Sequence, residues 1–269
     1  MNVVSGRTLA FDEVGAGGAR AAAPVVLLPG AGDVRSENRF LVEGLVQAGY
    51  RVINADLPGH GESPSQPAYG VKETADALLA LIRELGLGSA HVVGTSFAPA
   101  AAVWAAGAEP SVVRSIVAIS PHVETEETFA GRMMGAVGTI LLGGPWAAAV
   151  WGGMYRSWYK GRVPDDLGAE VEKMKAMLRR PEGRRAARET LVAHRRGLAE
   201  KMAACSCPVL AIFGAADNHF PDRAKEAARV ASLLRADTML IEGAGHYPHV
   251  ERPDLVLPAI VEFLERADA

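Results

Sequence analysis

The run His91-Val92-Val93-Gly94-Thr95-Ser96-Phe97-Ala98 constrains this chain more than any other, because an apolar strand breaks at a glycine-framed serine and resumes as an alanine-rich helix. A strand-to-helix turn that tight holds the serine in strained backbone geometry and leaves no room for a side chain two positions to either side. Gly94 meets that demand before Ser96, and Ala98 nearly meets it after, giving G-x-S-x-A. Such a turn aims one hydroxyl out of a sheet. An ordinary serine in a β-to-α loop could carry the same letters, so other segments must decide.

Apolar strands and helices alternate along the chain, the pattern of a mostly parallel sheet with helices on both faces. Residues 3–4 and 9–14 read as an amino-terminal hairpin edge. Six further strands are expected at 25–28, 51–55, 90–93, 115–119, 209–213 and 238–241, making an eight-stranded sheet. Apolar spacing predicts helices over 40–48, 71–85, 97–106 and 255–266. Residues 15–23 read as a surface turn. The alternation stops between Glu124 and Met202, so residues 124–202 are expected to be a helical insertion into a core built from 1–123 and 203–269.

With two more glycine-bearing loops, the serine segment resembles the nucleophile elbow of the α/β-hydrolase family, whose serine hydrolases carry a helical cap. Strand 25–28 breaks into Pro29-Gly30-Ala31-Gly32, similar to the family's His-Gly loop with proline in the histidine's place. The resemblance implies that the N–H groups of Ala31 and Phe97 form an oxyanion hole; a plain strand-ending turn is the alternative. Asp56-Leu57-Pro58-Gly59-His60-Gly61-Glu62-Ser63 resembles the family's D-x-x-G-x-G-x-S loop. Its glycines already account for the turn, so His60 reads as a loop residue and not as a base. Strand 209–213 ends in Gly214-Ala215-Ala216-Asp217, and strand 238–241 is followed by Gly243-Ala244-Gly245-His246. In an open parallel sheet the site lies beyond the carboxyl ends of the strands, where these loops would meet. The order Ser96, Asp217, His246 is the family's order.

A serine hydroxyl is a poor nucleophile at neutral pH until an imidazole takes its proton, and a carboxylate fixes that imidazole's tautomer and charge. Seven histidines compete. His91 begins a strand, His194 lies among arginines, and His249 sits just past His246. His122 and His219 are better rivals, each following an apolar strand. His246 alone occupies a glycine-flanked loop after the last strand and is the expected base. Asp217 is the expected acid, with Glu124 as alternative; a solvated helix start also explains Glu124.

The resemblance therefore implies a serine hydrolase acting through an acyl-enzyme on a small, largely apolar ester, thioester or lactone, with no metal or organic cofactor. Relatives that hydrolyse carbon–carbon bonds or act as cofactor-free peroxidases keep the same triad, and a non-catalytic small-ligand receptor of this fold is a further alternative. The insertion is rich in Phe129, Met133, Met134, Trp146, Trp151, Tyr155, Trp158 and Tyr159. Trp146, Trp151, Tyr155 and Trp158 are the candidates to line an apolar site, although packing the cap onto the body would need the same residues. The arginines from Arg179 to Arg196 read as a solvated helix face. A net charge of −3 leaves no footprint for nucleic acid. Residues 1–11 lack a basic stretch leading into an apolar run, so the expectation is a cytoplasmic protein without a membrane partner. Cys205 and Cys207 are too few for a disulfide framework and read as small apolar filler. The excess of arginine over lysine fits a GC-rich bacterial source, and the oligomeric state is left open.

Overall fold

The computed structural model describes residues 2–5, 8–15, 22–123, 137–193 and 195–269. Within them one sheet contains β1 (Asn2–Ser5), β2 (Ala10–Val14), β3 (Val25–Leu28), β4 (Val52–Ala55), β5 (Ala90–Thr95), β6 (Val113–Ile119), β7 (Val209–Gly214) and β8 (Asp237–Ile241). Their spatial order is β1-β2-β4-β3-β5-β6-β7-β8. The β1–β2 and β2–β4 pairs are antiparallel, and the remaining pairs are parallel. This is the expected eight-stranded, mostly parallel sheet.

The helices are α1 (Arg39–Gln47), α2 (Val71–Glu84), α3 (Ala98–Ala108), α4 (Ala147–Ser157), α5 (Leu167–Arg179), α6 (Pro181–Leu191), α7 (Leu198–Ala204), α8 (Arg223–Leu234), α9 (Pro248–Glu251) and α10 (Pro253–Asp268). Side chains alternate across a strand, so each central strand feeds two cores. Val25, Leu27, Val93, Val117 and Ile212 pack with Leu41 and Leu45 of α1 and Ile260 and Phe263 of α10. Val26, Leu28, Val92, Ile116 and Phe213 face Leu78 and Ile82 of α2, Ala101 of α3 and Val230 of α8. Burial on both faces explains why these strands read as unbroken apolar runs. Helix α3 is apolar around most of its circumference and so must be buried. Its small side chains allow a close approach to α7, where a Cβ on Gly107 would strike the Lys201 backbone.

Two helices escape the sequence reading. Helix α8 is capped by Asp222, whose carboxylate accepts the Lys225 N–H at 3.0 Å. That capping signal is present in the sequence, but the apolar face behind it is narrow, with only Ala227, Val230 and Leu234 buried. Helix α9 is one turn, too short for any period. Among the described residues of the insertion, 137–193 and 195–202, there is no strand. Helix α7 runs across the expected boundary at 202–203, and its Leu198 and Met202 join the core that covers α3. Helices α4 and α5 instead share a cluster containing Trp151, Tyr155, Trp158, Val171, Met174 and Tyr247. No described helix is long and apolar enough to cross a membrane. Glu124, Phe129, Met133, Met134 and His194 lie outside the described residues.

Candidate active site

Ser96 follows β5, between β3 and β6 in the sheet, and adopts φ +58°, a left-handed conformation that a non-glycine residue rarely holds. Its neighbours impose this: Ser96 N–H donates to the Ile119 carbonyl at 2.8 Å, and Ser96 O accepts from His122 N–H at 2.9 Å. A Cβ on Gly94 would lie 3.0 Å from both the Ala98 Cβ and the Pro99 nitrogen. Glycine at 94 is thus what makes room for alanine at 98, which explains G-x-S-x-A in place of two glycines.

The loop after β3 runs alongside. A Cβ on Gly30 would stand 3.4 Å from the Ser96 Cβ, and Asp33 N–H closes a turn onto the Gly30 carbonyl at 3.1 Å. Among the described residues, neither the Ala31 nor the Phe97 amide donates to a backbone carbonyl. An amide without a backbone acceptor is what an oxyanion donor requires.

At the ends of β7 and β8, His246 Nδ1 meets Asp217 Oδ2 at 2.7 Å, with both residues buried. The carboxylate's other oxygen is shared by the His219 backbone N–H at 2.9 Å and His219 Nδ1 at 3.0 Å. Burial pushes the Asp217 pKa up, but the hydrogen bonds from His219 and His246 outweigh it and hold the carboxyl below its ordinary range. Burial pushes His246 the other way, down to about 4, with the Asp217 hydrogen bond opposing and the nearby His219 and His122 reinforcing. Both shifts favour a neutral imidazole held by an ionised carboxylate. Among the described residues, Ser96 Oγ forms no hydrogen bond to the imidazole; such contacts often tighten only when substrate binds.

His219 and His122, the rivals for the base, also stand here. The His219 ring centre lies 3.9 Å from that of His246, and His122 lies 5.8 Å from both. Asp217, His219 and His246 form a group whose potential ligand atoms lie within 4.8 Å of one another. Within it the Asp217 carboxylate already engages Nδ1 of both imidazoles. His91 is occupied in the core by Ser115 at 2.7 Å and Asp268 at 3.2 Å, and His249 faces Glu37 at 2.5 Å.

The aromatic residues of the insertion divide. Trp158 accepts the His246 backbone N–H at 3.0 Å and sets its ring 4.7 Å from His219. Trp151 lies edge-on to Trp158 at 5.2 Å and rests on the loop after β3, where a Cβ on Gly32 would come within 2.5 Å of its ring. Tyr155 packs 5.0 Å from Tyr247, whose hydroxyl donates to Asp33 Oδ2 at 2.9 Å. Burial, then the neighbouring Glu37, raises the Asp33 pKa well above its ordinary value despite the Tyr247 bond. Trp146 stands apart from this cluster: it is 53 % exposed and lies against Gly144. The structure thus packs Trp151, Tyr155 and Trp158 into one buried cluster with Tyr247, beside His246 and the loop after β3, and leaves Trp146 on the surface.

One residue the sequence reading missed joins this cluster's segment to the His246 loop. The buried Glu251 carboxylate accepts Gly245 N–H at 2.7 Å, Lys160 N–H at 2.8 Å and Gly161 N–H at 2.6 Å. It ties the His246 loop to the turn between α4 and α5. An acid five positions after a histidine carries no signal without the fold. The grip on Gly32 gives a testable consequence: with φ +80° and an added Cβ only 2.5 Å from the Trp151 ring, Gly32→Ala should lose about 2–3 kcal/mol of stability in urea unfolding. A neutral result would mean Trp151 moves freely.

A sequence model of the family described as alpha/beta hydrolase fold matches residues 23–253. The 2-(acetamidomethylene)succinate hydrolase of Mesorhizobium japonicum is 29 % identical over 232 residues, covering 80 % of this chain and 79 % of that protein. A thermophilic esterase from Thermogutta terrifontis superposes with a TM-score of 0.77 at 24 % identity, covering 97 % of this chain and 94 % of the other. The enol-lactonase of Burkholderia xenovorans superposes with a TM-score of 0.79 at 17 % identity, covering 98 % and 100 %.

Proposed function

This chain is an enzyme of the alpha/beta hydrolase fold family, and we propose that it is a serine hydrolase in which Ser96 attacks a carbonyl carbon with His246 as base and Asp217 as its orienting acid. The observation that carries the reading is the 2.7 Å His246–Asp217 pair, at the sheet end where Ser96 is held at φ +58°. Asp217 keeps the proton on Nδ1 of His246, leaving Nε2 to take the hydroxyl proton as the Ser96 Oγ–carbon bond forms. The Ala31 and Phe97 amides stabilise the developing oxyanion. The imidazolium then gives its proton to the leaving group, and water, activated by the same imidazole, cleaves the acyl-enzyme.

Residues from the segment 124–202 form a cap over this centre. The roof of Trp151, Tyr155 and Trp158 favours a small, largely apolar acyl or leaving group, carried on an ester, thioester or lactone. The test is fluorophosphonate labelling with mass mapping, run beside p-nitrophenyl esters of increasing acyl length. Labelling at Ser96 that vanishes in His246→Ala supports the reading. Absence of both labelling and turnover would move the protein to a ligand-binding role.

The pH profile adds an independent check. Hydrolysis needs neutral His246, whose pKa is pushed down to about 4. Activity should therefore be present above that value and fall as pH drops through about 4. The check is kcat/KM against pH on a non-ionising ester. A midpoint near the ordinary histidine value of about 6.5 would mean that the imidazole is hydrated in solution.

A further inference from the structure

The loop containing His60 is a braced frame. Asp56 Oδ1 accepts the Arg35 N–H at 2.7 Å, Asp56 Oδ2 accepts the Glu62 N–H at 3.0 Å, and the Ser63 hydroxyl donates to the Asp56 carbonyl at 3.0 Å. The Arg35 guanidinium joins Asp12, Asp56 and Glu62. This frame delivers His60, with no exposed surface, to the underside of the turn that follows β3. There His60 Nδ1 lies 3.0 Å from the Pro58 carbonyl, and His60 Nε2 lies 3.0 Å from the Gly32 amide nitrogen. A carbonyl can only accept and an amide can only donate, so the partners dictate the tautomer: the proton is on Nδ1 and Nε2 is bare. Burial pushes the His60 pKa down to about 4, which keeps the ring neutral.

The Gly32 amide is a decisive place for such a contact. The turn Gly30–Asp33, closed by Asp33 N–H on the Gly30 carbonyl, has Gly32 at φ +80° in its third position, which makes it type II. Type I differs by a half-turn of the peptide between Ala31 and Gly32, which would aim the Ala31 carbonyl at the bare Nε2 of His60, acceptor against acceptor. Trp151 closes the space on the other side of Gly32. The Ala31–Gly32 peptide therefore has one orientation, and its anchor at Gly32 fixes where Ala31 sits, whose own N–H, on the preceding peptide, is the oxyanion donor of the hydrolase reading.

We propose that His60, through its Nε2 contact with the Gly32 amide, is a positioning residue that holds the oxyanion loop in its donor-presenting form. This rests on the serine-hydrolase reading of Ser96. The test compares His60→Phe, which keeps a ring but no acceptor, with His60→Gln, whose Oε1 can stand where Nε2 stands. Turnover of a p-nitrophenyl ester and Ser96 labelling are measured in each. His60→Phe should lower kcat by about 10²-fold with KM changed by less than about threefold, the signature of a weakened oxyanion hole. His60→Gln should recover at least about tenfold of that loss.

His60→Phe with wild-type kcat, or equal losses in the two variants, would overturn the proposal. A wild type that neither turns over esters nor labels would sink the hydrolase reading, and this proposal with it. Imidazole ¹⁵N spectra of the wild type guard against a variant that does not fold. Protonated Nδ1 and bare Nε2 between about pH 5 and 8 are expected on the tautomer argument, and the opposite tautomer would overturn it.

Discussion

Ser96→Ala should reduce kcat by at least about 10⁴-fold, because nucleophile, base and acid act as a unit and the oxyanion donors alone give only a small residual rate. The effect is chemical and not structural. Alanine fits wherever serine fits, and Ser96 Oγ supports no hydrogen bond among the described residues, so the melting temperature should barely move. Ser96→Gly sharpens the point. It removes the same hydroxyl but also relieves the strain at φ +58°, so it should be equally inactive yet more stable by about 1 kcal/mol. Initial rates on a p-nitrophenyl ester, with urea unfolding of all three proteins, decide the matter. Activity within tenfold of wild type in either variant would exclude Ser96 as the nucleophile.

Asp217→Asn is expected to be nearly as damaging, with a loss of about 10⁴-fold in kcat at unchanged backbone geometry. Here the structure adds what a triad alone would not. The carboxylate accepts from two imidazoles and a backbone amide, and an asparagine side chain offers a single acceptor atom. One of the two imidazole N–H groups must face an NH₂ donor instead, so either His246 or His219 flips its tautomer or loses its bond.

Because Asp217 is fully buried, stability should also drop by about 2–3 kcal/mol at pH 7, the scale of hydrogen bonds to a charged group. The pH sign follows from the depressed carboxyl pKa. Its contribution is fully present above the unfolded value of about 3.9 and lost as pH falls through the folded one. Wild type should therefore lose stability with acid more steeply than the variant. Parallel pH–stability curves would show that Asp217 is not ionised in the folded state.

The sheet was readable because parallel strands buried on both faces must be apolar throughout, and Val25–Leu28 and Val209–Phe213 are. The elbow was readable because its strain leaves letters behind: glycine at 94, alanine at 98, and an apolar strand and helix on either side. Asp217 and His246 were placed by loop position at the ends of β7 and β8, and the fold brings them to 2.7 Å. Helix α8 is not legible because its apolar face is narrow, only Ala227, Val230 and Leu234 being buried, although Asp222 caps it.

What the sequence determined by itself is whatever local sterics and periodicity write into consecutive residues, namely the strands, most of the core helices and the turn that presents Ser96. The tertiary structure decided the pairings between distant loops. It set His219 as the second partner of Asp217, Glu251 as the clasp between the His246 loop and the α4–α5 turn, His60 as the acceptor beneath Gly32, and Trp146 on the surface while Trp151 and Trp158 pack beside His246 and the loop after β3. Each depends on hydrogen bonds or packing between segments brought together only when the sheet closes, and a buried polar contact of that kind imposes no spacing or periodicity on the chain that makes it.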